Sequence, residues 1–183
     1  KDISIGQHQL VLSRDGFVDK SVLLNIVADT TVKVDEMLTQ MLGSVLIKST
    51  PAGAKVWFDG DYKGITNVAG LKISGITLGE HTVKYEKEKF DKYEQKITIK
   101  YKETSEINPT LQEMPGSVYI TSTPKGAKIY LDGTYRGITP YKISEVSAGS
   151  HEITLSLDGY NDWSKQVEIH GLETALFPSV DME

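Results

Sequence analysis

The sequence contains no cysteine, so neither a disulfide framework nor thiol chemistry is available to this chain. No apolar run approaches the roughly 18 residues that a membrane span needs, and no signal peptide is visible. The chain also lacks an excess of positive charge, since 20 Lys and Arg residues against 25 Asp and Glu residues leave a net charge of −5. Nothing provides the basic face that nucleic acid requires, so we expect no nucleic-acid partner and no membrane span.

A stretch of 24 residues occurs twice. Residues 43–66 read GSVLIKSTPAGAKVWFDGDYKGIT and residues 116–139 read GSVYITSTPKGAKIYLDGTYRGIT, with 16 identical positions. Apolar residues alternate at the two-residue period of a strand. Thr50-Pro51-Ala52-Gly53 has the proline and glycine that a type I turn prefers, and Asp59-Gly60 suits a tight hairpin with positive φ. The pattern predicts a repeated unit of strand, turn, strand, hairpin and strand.

The repeat divides the chain into three segments. Three histidines follow a Gly-x-His pattern, at His8, His81 and His151, and the first two lie 35 residues before the next Gly-Ser-Val. Residues 1–42 therefore match the second half of a module, while residues 43–115 and 116–183 form complete modules. A half-module buries little apolar surface alone, so we expect these residues to be part of a longer chain. The alternative is a divergent first copy that another chain completes.

Module size indicates the fold class. About 70 residues with six or seven short strands favour a small two-sheet sandwich. We therefore predict an all-β fold of tandem small antiparallel β-sandwich modules, the first of them incomplete. The sequence does not determine the strand order.

The turn motifs resemble those of a known family. Pro51-Ala52-Gly53-Ala54 and Pro124-Lys125-Gly126-Ala127 are similar to the signature of PEGA domains, although Ala52 and Lys125 replace its glutamate. The Asp-Gly and Gly-Ile-Thr motifs downstream also fit that family. The resemblance implies a transthyretin-like or carboxypeptidase-regulatory-like sandwich. It also implies an extracellular, cell-surface or periplasmic setting.

The repeated polar residues do not form a recognisable catalytic or metal site. Each histidine lacks a second histidine, a cysteine or a carboxylate at ligand spacing, which favours a histidine bonded to backbone at the start of a strand. Asp59-Gly60-Asp61 becomes Asp132-Gly133-Thr134 in the next copy, without the bidentate acid of a calcium loop. We expect no enzyme activity, no cofactor and no metal.

Aromatic residues recur beside a cation in each complete module. They alternate out of phase with the predicted core and flank the Asp-Gly hairpin. The candidate contacts for a protein or glycan partner are Trp57, Tyr62, Lys63, Tyr130, Tyr135 and Arg136. Exposed aromatic rings can stack on sugars or anchor a protein. The alternative is that they pack against each other across neighbouring strands.

These observations predict a non-catalytic structural or interaction segment, and the resemblance to PEGA domains implies that it belongs to a cell-envelope or surface protein. Its modules would act as a spacer or as a protein-docking scaffold. One alternative is a carbohydrate-binding module for envelope polysaccharide. Another is a sensory or regulatory arm of a larger kinase or transporter.

Overall fold

The computed structural model describes residues 3–177 and 179–182. Within these residues every regular element is a β-strand, which confirms the predicted all-β class. The strands are β1 (Gly6–Leu12), β2 (Lys20–Ile26), β3 (Leu42–Ile47), β4 (Lys55–Phe58), β5 (Asp61–Ile65), β6 (Leu71–Thr77), β7 (Gly79–Glu86), β8 (Tyr93–Ile99), β9 (Thr104–Ile107), β10 (Gly116–Ile120), β11 (Ser122–Thr123), β12 (Lys128–Leu131), β13 (Thr134–Ile138), β14 (Tyr141–Val146), β15 (Gly149–Ser156), β16 (Trp163–Ile169), β17 (Thr174–Leu176) and β18 (Val180–Asp181).

The chain divides into two compact units. The first comprises Lys1–Lys84 with Glu94–Pro109, and the second comprises Tyr85–Tyr93 with Thr110–Glu183. The tip of the β7–β8 hairpin is thus grouped with the residues that follow it. This division by contacts differs from the repeat boundaries after residues 42 and 115, which stay a prediction.

The strands of the first complete repeat form two sheets. One has the order β6-β3-β9 and the other has the order β5-β4-β7-β8. Strand β3 pairs antiparallel with β6 and parallel with β9, whose residues lie about 60 positions later in the chain. Strands β1 and β2 form a separate two-stranded antiparallel sheet.

The second unit repeats this topology. Its sheets have the orders β14-β10-β17 and β13-β12-β15-β16, and a short parallel pair joins β11 to β18. Alternating residues of both larger sheets enclose one apolar core. The core residues are Val118, Ile120, Ala127, Ile129, Leu131, Ile143, Val146, Ile153, Leu155, Val167, Ile169, Val180 and Met182. Burying each large aliphatic side chain contributes about 1.5–3 kcal/mol, so this core is the main support of the unit.

The glycine that opens each Gly-Ser-Val motif is required by a close backbone approach. A Cβ at Gly116 would lie 2.4 Å from the carbonyl oxygen of His170, and one at Gly43 would lie 2.4 Å from that of Lys100. Both distances are far below van der Waals contact. The glycine therefore allows the strand to pass beside the segment that follows the last hairpin strand of its module.

The signature turn differs from the predicted type I turn. The Thr50–Pro51 and Thr123–Pro124 peptide bonds are cis. The N–H of Gly53, which would close a type I turn, donates instead to the carbonyl oxygen of Thr66 at 2.9 Å. The prediction was wrong here because the glycine's partner lies 13 residues away along the chain.

The Asp-Gly hairpins have the positive φ that their sequence predicts. Asp59 and Gly60 have φ values of 51° and 87°, and Asp132 and Gly133 have values of 49° and 75°. Each pair connects two antiparallel strands, β4 to β5 and β12 to β13. These turns place an aspartate side chain at the same point of each module.

Candidate functional site

Each complete module contains a hydrogen-bonded aspartate and histidine, which we call the staple. In the first unit, His81 Nδ1 lies 2.6 Å from Asp59 Oδ2, and His81 Nε2 lies 2.9 Å from the Thr77 carbonyl oxygen. Asp59 Oδ1 accepts a hydrogen bond from the backbone N–H of Thr82 at 2.9 Å. The pair therefore ties the Asp-Gly turn to the start of β7.

The second unit contains the same staple. His151 Nδ1 lies 2.6 Å from Asp132 Oδ2, and His151 Nε2 lies 2.9 Å from the Ser147 carbonyl oxygen. The N–H of Glu152 donates to Asp132 Oδ1 at 2.9 Å. The predicted histidine–backbone bond is thus present, but the aspartate partner was not foreseen. Its only signal in the sequence is that Asp-Gly and Gly-x-His recur together.

Both partners of each staple histidine are hydrogen-bond acceptors. A carboxylate oxygen and a carbonyl oxygen can only be satisfied together when both ring nitrogens carry protons, which is the imidazolium form. Burial opposes this form at His81, but the hydrogen bonds to Asp59 and Thr77 outweigh it and raise the pKa of the histidine. At His151 the bond to Asp132 is the largest influence, and it likewise raises the pKa.

The pKa of each staple aspartate shifts in the opposite direction, below its usual value. Burial acts against ionisation of Asp59, yet hydrogen bonds from His81 and from the Thr82 N–H lower its pKa. At Asp132 the bond from His151 is the largest cause of the lowered pKa, followed by the N–H of Glu152. Both members of each staple are therefore stabilised in their charged forms.

The predicted aromatic residues form cross-strand pairs. Trp57 on β4 stands opposite Tyr62 on β5, with ring centroids 5.5 Å apart at an interplanar angle of 61°. Tyr130 and Tyr135 repeat the arrangement at 5.8 Å and 64°. The rings pack edge to face against each other, yet Tyr62 and Tyr135 remain 54% and 56% exposed. Each pair can both stabilise its sheet and present a ring to a partner.

The two cations have different surroundings. Lys63 Nζ lies 3.2 Å from Asp61 Oδ2 in an exposed ion pair. Arg136 lines a pocket of about 240 Å³ that also includes Asp132 and His151. The aromatic pair of the second unit does not line that pocket. Arg136 is therefore brought to the staple, and the structure groups it with Asp132 rather than with the tyrosines.

A surface groove adjoins one of the aromatic pairs. It has a volume of about 350 Å³ and is lined by Trp57, Gly60, Thr82, Lys84 and Glu94. An aromatic ring beside charged groups suits a polar ligand with an apolar face, such as a sugar ring. Among the described residues, no cluster of three or more His, Asp or Glu side chains could hold a metal ion. Nor do those residues contain a helix long and apolar enough to cross a membrane.

Tandem all-β modules with the same internal staple define a repeat protein of small β-modules. The PEGA domain family model matches residues 42–115 and 115–178. Since these two matches cover more than half of the chain, the protein belongs to the PEGA domain family. A comparison with proteins of curated function gave no match.

Solved structures give weaker similarities. The Bacillus anthracis TIE protein is 16% identical with a TM-score of 0.45, over 96% of this chain and 41% of that one. BcpA, the major pilin subunit of Bacillus cereus, is 10% identical with a TM-score of 0.38, over 72% of this chain and 68% of that one. GBS52, the minor pilin of Streptococcus agalactiae, is 10% identical with a TM-score of 0.33, over 76% of this chain and 95% of that one. At these scores the similarities carry no argument about function.

Proposed function

We propose that this chain is a non-catalytic structural and interaction segment of a cell-envelope or surface protein. Its PEGA modules would act as a spacer or as a protein-docking scaffold. The observation that carries the proposal is that the repeated polar residues bond within their own module. The staple histidines are only 12% and 13% exposed at their side chains, and both ring nitrogens are occupied. Residues used in this way support the fold and are poorly placed to act on a substrate.

A module replacement in the source organism tests this proposal and separates its two forms. Residues 116–178 would be deleted in frame from the gene and, in a second strain, replaced by residues 43–115. The readout is antibody access to epitope tags at both ends of the segment on intact cells, with protein abundance as the control. If the modules act as a spacer, antibody access to the tags should fall when residues 116–178 are deleted. It should recover when residues 43–115 take their place. If the modules act as a docking scaffold, the strain with residues 43–115 in place of residues 116–178 should not recover, because the docking surface of the original module is missing.

If deletion of residues 116–178 leaves tag access and the function of the protein unchanged, both forms of the proposal are contradicted. Cell fractionation of the same strains tests the setting. We expect the chain in the envelope or extracellular fraction, and protease treatment of intact cells should degrade it if it lies on the surface. Recovery only in the cytoplasm would contradict the envelope setting.

Binding of an envelope polysaccharide is a second candidate, favoured by the groove beside Trp57. Its contacts would be the six candidate residues, with the exposed faces of Tyr62 and Tyr135 stacking on sugar rings. Co-sedimentation with protein-free envelope polysaccharide tests it. We expect saturable binding that is lost when Trp57 and Tyr130 are replaced by alanine and retained when they are replaced by phenylalanine. Absence of binding at high micromolar concentration of the unmodified chain would exclude it.

A further inference from the structure

The pocket beside the second staple contains a charged residue that the first module lacks at the same position. Residues 142–147 read KISEVS, and the matching residues 72–77 read KISGIT. Glu145 therefore stands where the first module has Gly75. In both modules the strand register skips this residue, which makes it the extra residue of a β-bulge.

The backbone at this bulge has a positive φ in both modules. The value is 74° at Gly75 and 56° at Glu145. Glycine adopts this conformation without steric cost, whereas a residue with a side chain rarely does. The first module shows that glycine is sufficient to form the bulge. A glutamate held there at a cost in backbone strain therefore indicates a role for its side chain, because such strain concentrates at functional sites.

Arg136, which lines the same pocket, lacks the partner that its counterpart has. In the first module Lys63 forms an ion pair with Asp61 at 3.2 Å. Thr134 replaces that aspartate in the second module. Among the described residues Arg136 forms no hydrogen bond and no ion pair, although its charge acts on Asp132 through space. Its guanidinium group is therefore available to hold a carboxylate through two parallel hydrogen bonds.

The pocket thus has one unpaired charge of each sign. Arg136 and Glu145 both line it, and in the described part of the chain Glu145 also forms no ion pair. The other two charged lining residues, Asp132 and His151, bind each other in the staple. A ligand with only a negative charge would be repelled by Glu145, and one with only a positive charge would be repelled by Arg136. A ligand that carries both charges is complementary to both residues.

The inner end of the pocket is apolar. It is lined there by the buried side chains of Leu131, Ile143 and Val146. The pocket volume of about 240 Å³ is below the roughly 300–1,000 Å³ of sites that take drug-sized ligands. Both properties favour a small ligand with a short aliphatic group between or beside its charges.

We propose that this pocket binds a small zwitterion, an α-amino acid with an aliphatic side chain. Arg136 donates hydrogen bonds to the carboxylate of the ligand, and the ligand's ammonium group donates to the carboxylate of Glu145. The aliphatic side chain lies at the apolar end, against Ile143. The site consists of residues in which the two modules differ, so it goes beyond the spacer or docking role proposed above and does not depend on it.

The first test compares three ligands on the complete ¹⁵N-labelled chain at low ionic strength. The ligands are leucine, N-acetylleucine, which lacks the ammonium group, and leucinamide, which lacks the carboxylate. We expect saturable binding of leucine at millimolar concentration, with amide shifts concentrated on residues 143–147. The two derivatives should each bind about tenfold more weakly, because each loses hydrogen bonds to one charged side chain.

Two variants carry residues that the first module has at the same positions. Thr134→Asp gives Arg136 an acid of its own and should weaken leucine binding about tenfold. Glu145→Gly removes the acceptor for the ammonium group, so leucine and N-acetylleucine should then bind equally weakly. It also relieves the positive φ, so the urea midpoint of this variant should not fall. Lys142→Ala, on the same strand but outside the pocket lining, is the matched control and should bind leucine normally.

Three results would overturn the proposal. The first is the absence of a saturable response to leucine at millimolar concentration. The second is equal binding of leucine, N-acetylleucine and leucinamide by the unmodified chain, because the two charges would then not be recognised. The third is a lower urea midpoint of Glu145→Gly together with unchanged leucine binding, which would show that the glutamate supports the bulge and not a ligand.

Discussion

At the scale of single residues, two buried threonines hold the signature turns together. Thr139 Oγ1 accepts hydrogen bonds from the N–H groups of Gly126 and Ala127 at 3.2 and 3.1 Å, and it shares a hydrogen bond with Ser122 Oγ. Thr66 makes the same set of contacts in the first unit. One hydroxyl thus joins the Ser-Thr-Pro, Gly-Ala and Gly-Ile-Thr motifs, which explains why they recur together.

Replacing Thr139 by valine should destabilise the second unit by about 1–3 kcal/mol, because buried donors lose their acceptor while the side-chain volume is kept. Thr139→Ser keeps the hydroxyl and should cost less than the valine variant. Urea denaturation followed by tyrosine and tryptophan fluorescence measures both. Equal losses for the two variants would mean that the methyl group, and not the hydroxyl, supports the turn.

The staples make a contribution to stability that depends on pH. The pKa of His81 and His151 is raised above the usual 6.5, so their contribution is complete below that pH and is lost as pH rises through the folded-state pKa. The pKa of Asp59 and Asp132 is lowered below the usual 3.8, so their contribution is complete above that pH and is lost as pH falls through the folded-state pKa. The staples therefore stabilise most between these two values.

Asp132→Asn should remove the charge of one staple and keep its shape. Since the aspartate is about half exposed, we expect a loss of only about 1 kcal/mol at about pH 5.5, and a smaller loss at about pH 8.5. Arg136 and Glu168 also act electrostatically on this pair, so the measurements should share one ionic strength. Asp162→Asn, which removes an exposed carboxylate outside the staple, is the control, and the effect of the staple is read as the difference between the two variants at each pH. An equal loss at both pH values would contradict the charged staple.

At the scale of secondary-structure elements, strand β10 can lie beside the segment after β16 only because Gly116 has no side chain. In Gly116→Ala the new Cβ would meet the His170 and Glu173 carbonyl oxygens at 2.4 and 3.0 Å. We expect destabilisation by about 1–3 kcal/mol through backbone displacement. Lys142→Ala on the neighbouring strand β14 is exposed and should change stability by less than about 0.5 kcal/mol. A neutral Gly116→Ala variant would show that the segment after β16 can move away.

The aromatic pairs also act at this scale. An edge-to-face pair contributes about 0.5–1.5 kcal/mol beyond its buried area. A double-mutant cycle of Tyr130→Ala and Tyr135→Ala should therefore give a coupling energy in that range in the absence of any ligand. No coupling would mean that the rings do not stabilise the sheet, which would strengthen the interpretation that they contact a partner.

The sequence predicted elements well where the determining contacts are local. Alternation identified the strands, and Asp-Gly identified both hairpins with positive φ. It did not indicate the parallel pairing of β3 with β9, because the partner strand lies about 60 residues away. The aspartate of each staple was missed for a related reason: it precedes its histidine by 22 residues in one copy and 19 in the other. The aspartate and the histidine of the first staple meet because the fold places β4 beside β7.

At the scale of the whole molecule, the same local solution is used in both complete modules. The staple, the buried threonine and the cross-strand aromatic pair recur with distances that differ by a few tenths of an ångström. The described hairpin before them has the histidine and the apolar face but not the aspartate. The account therefore holds that the repeated polar residues in the described part of this chain are structural.

Nitrogen-edited NMR of the imidazole groups in the intact chain tests this claim most directly. A histidine Nδ1–H bonded to a carboxylate exchanges slowly with water and appears at low field. At about pH 5.5 we predict two such signals, assigned to His81 and His151, of which Asp132→Asn removes only the second. Absence of both signals, or their persistence in the Asp132→Asn and Asp59→Asn variants, would contradict the account.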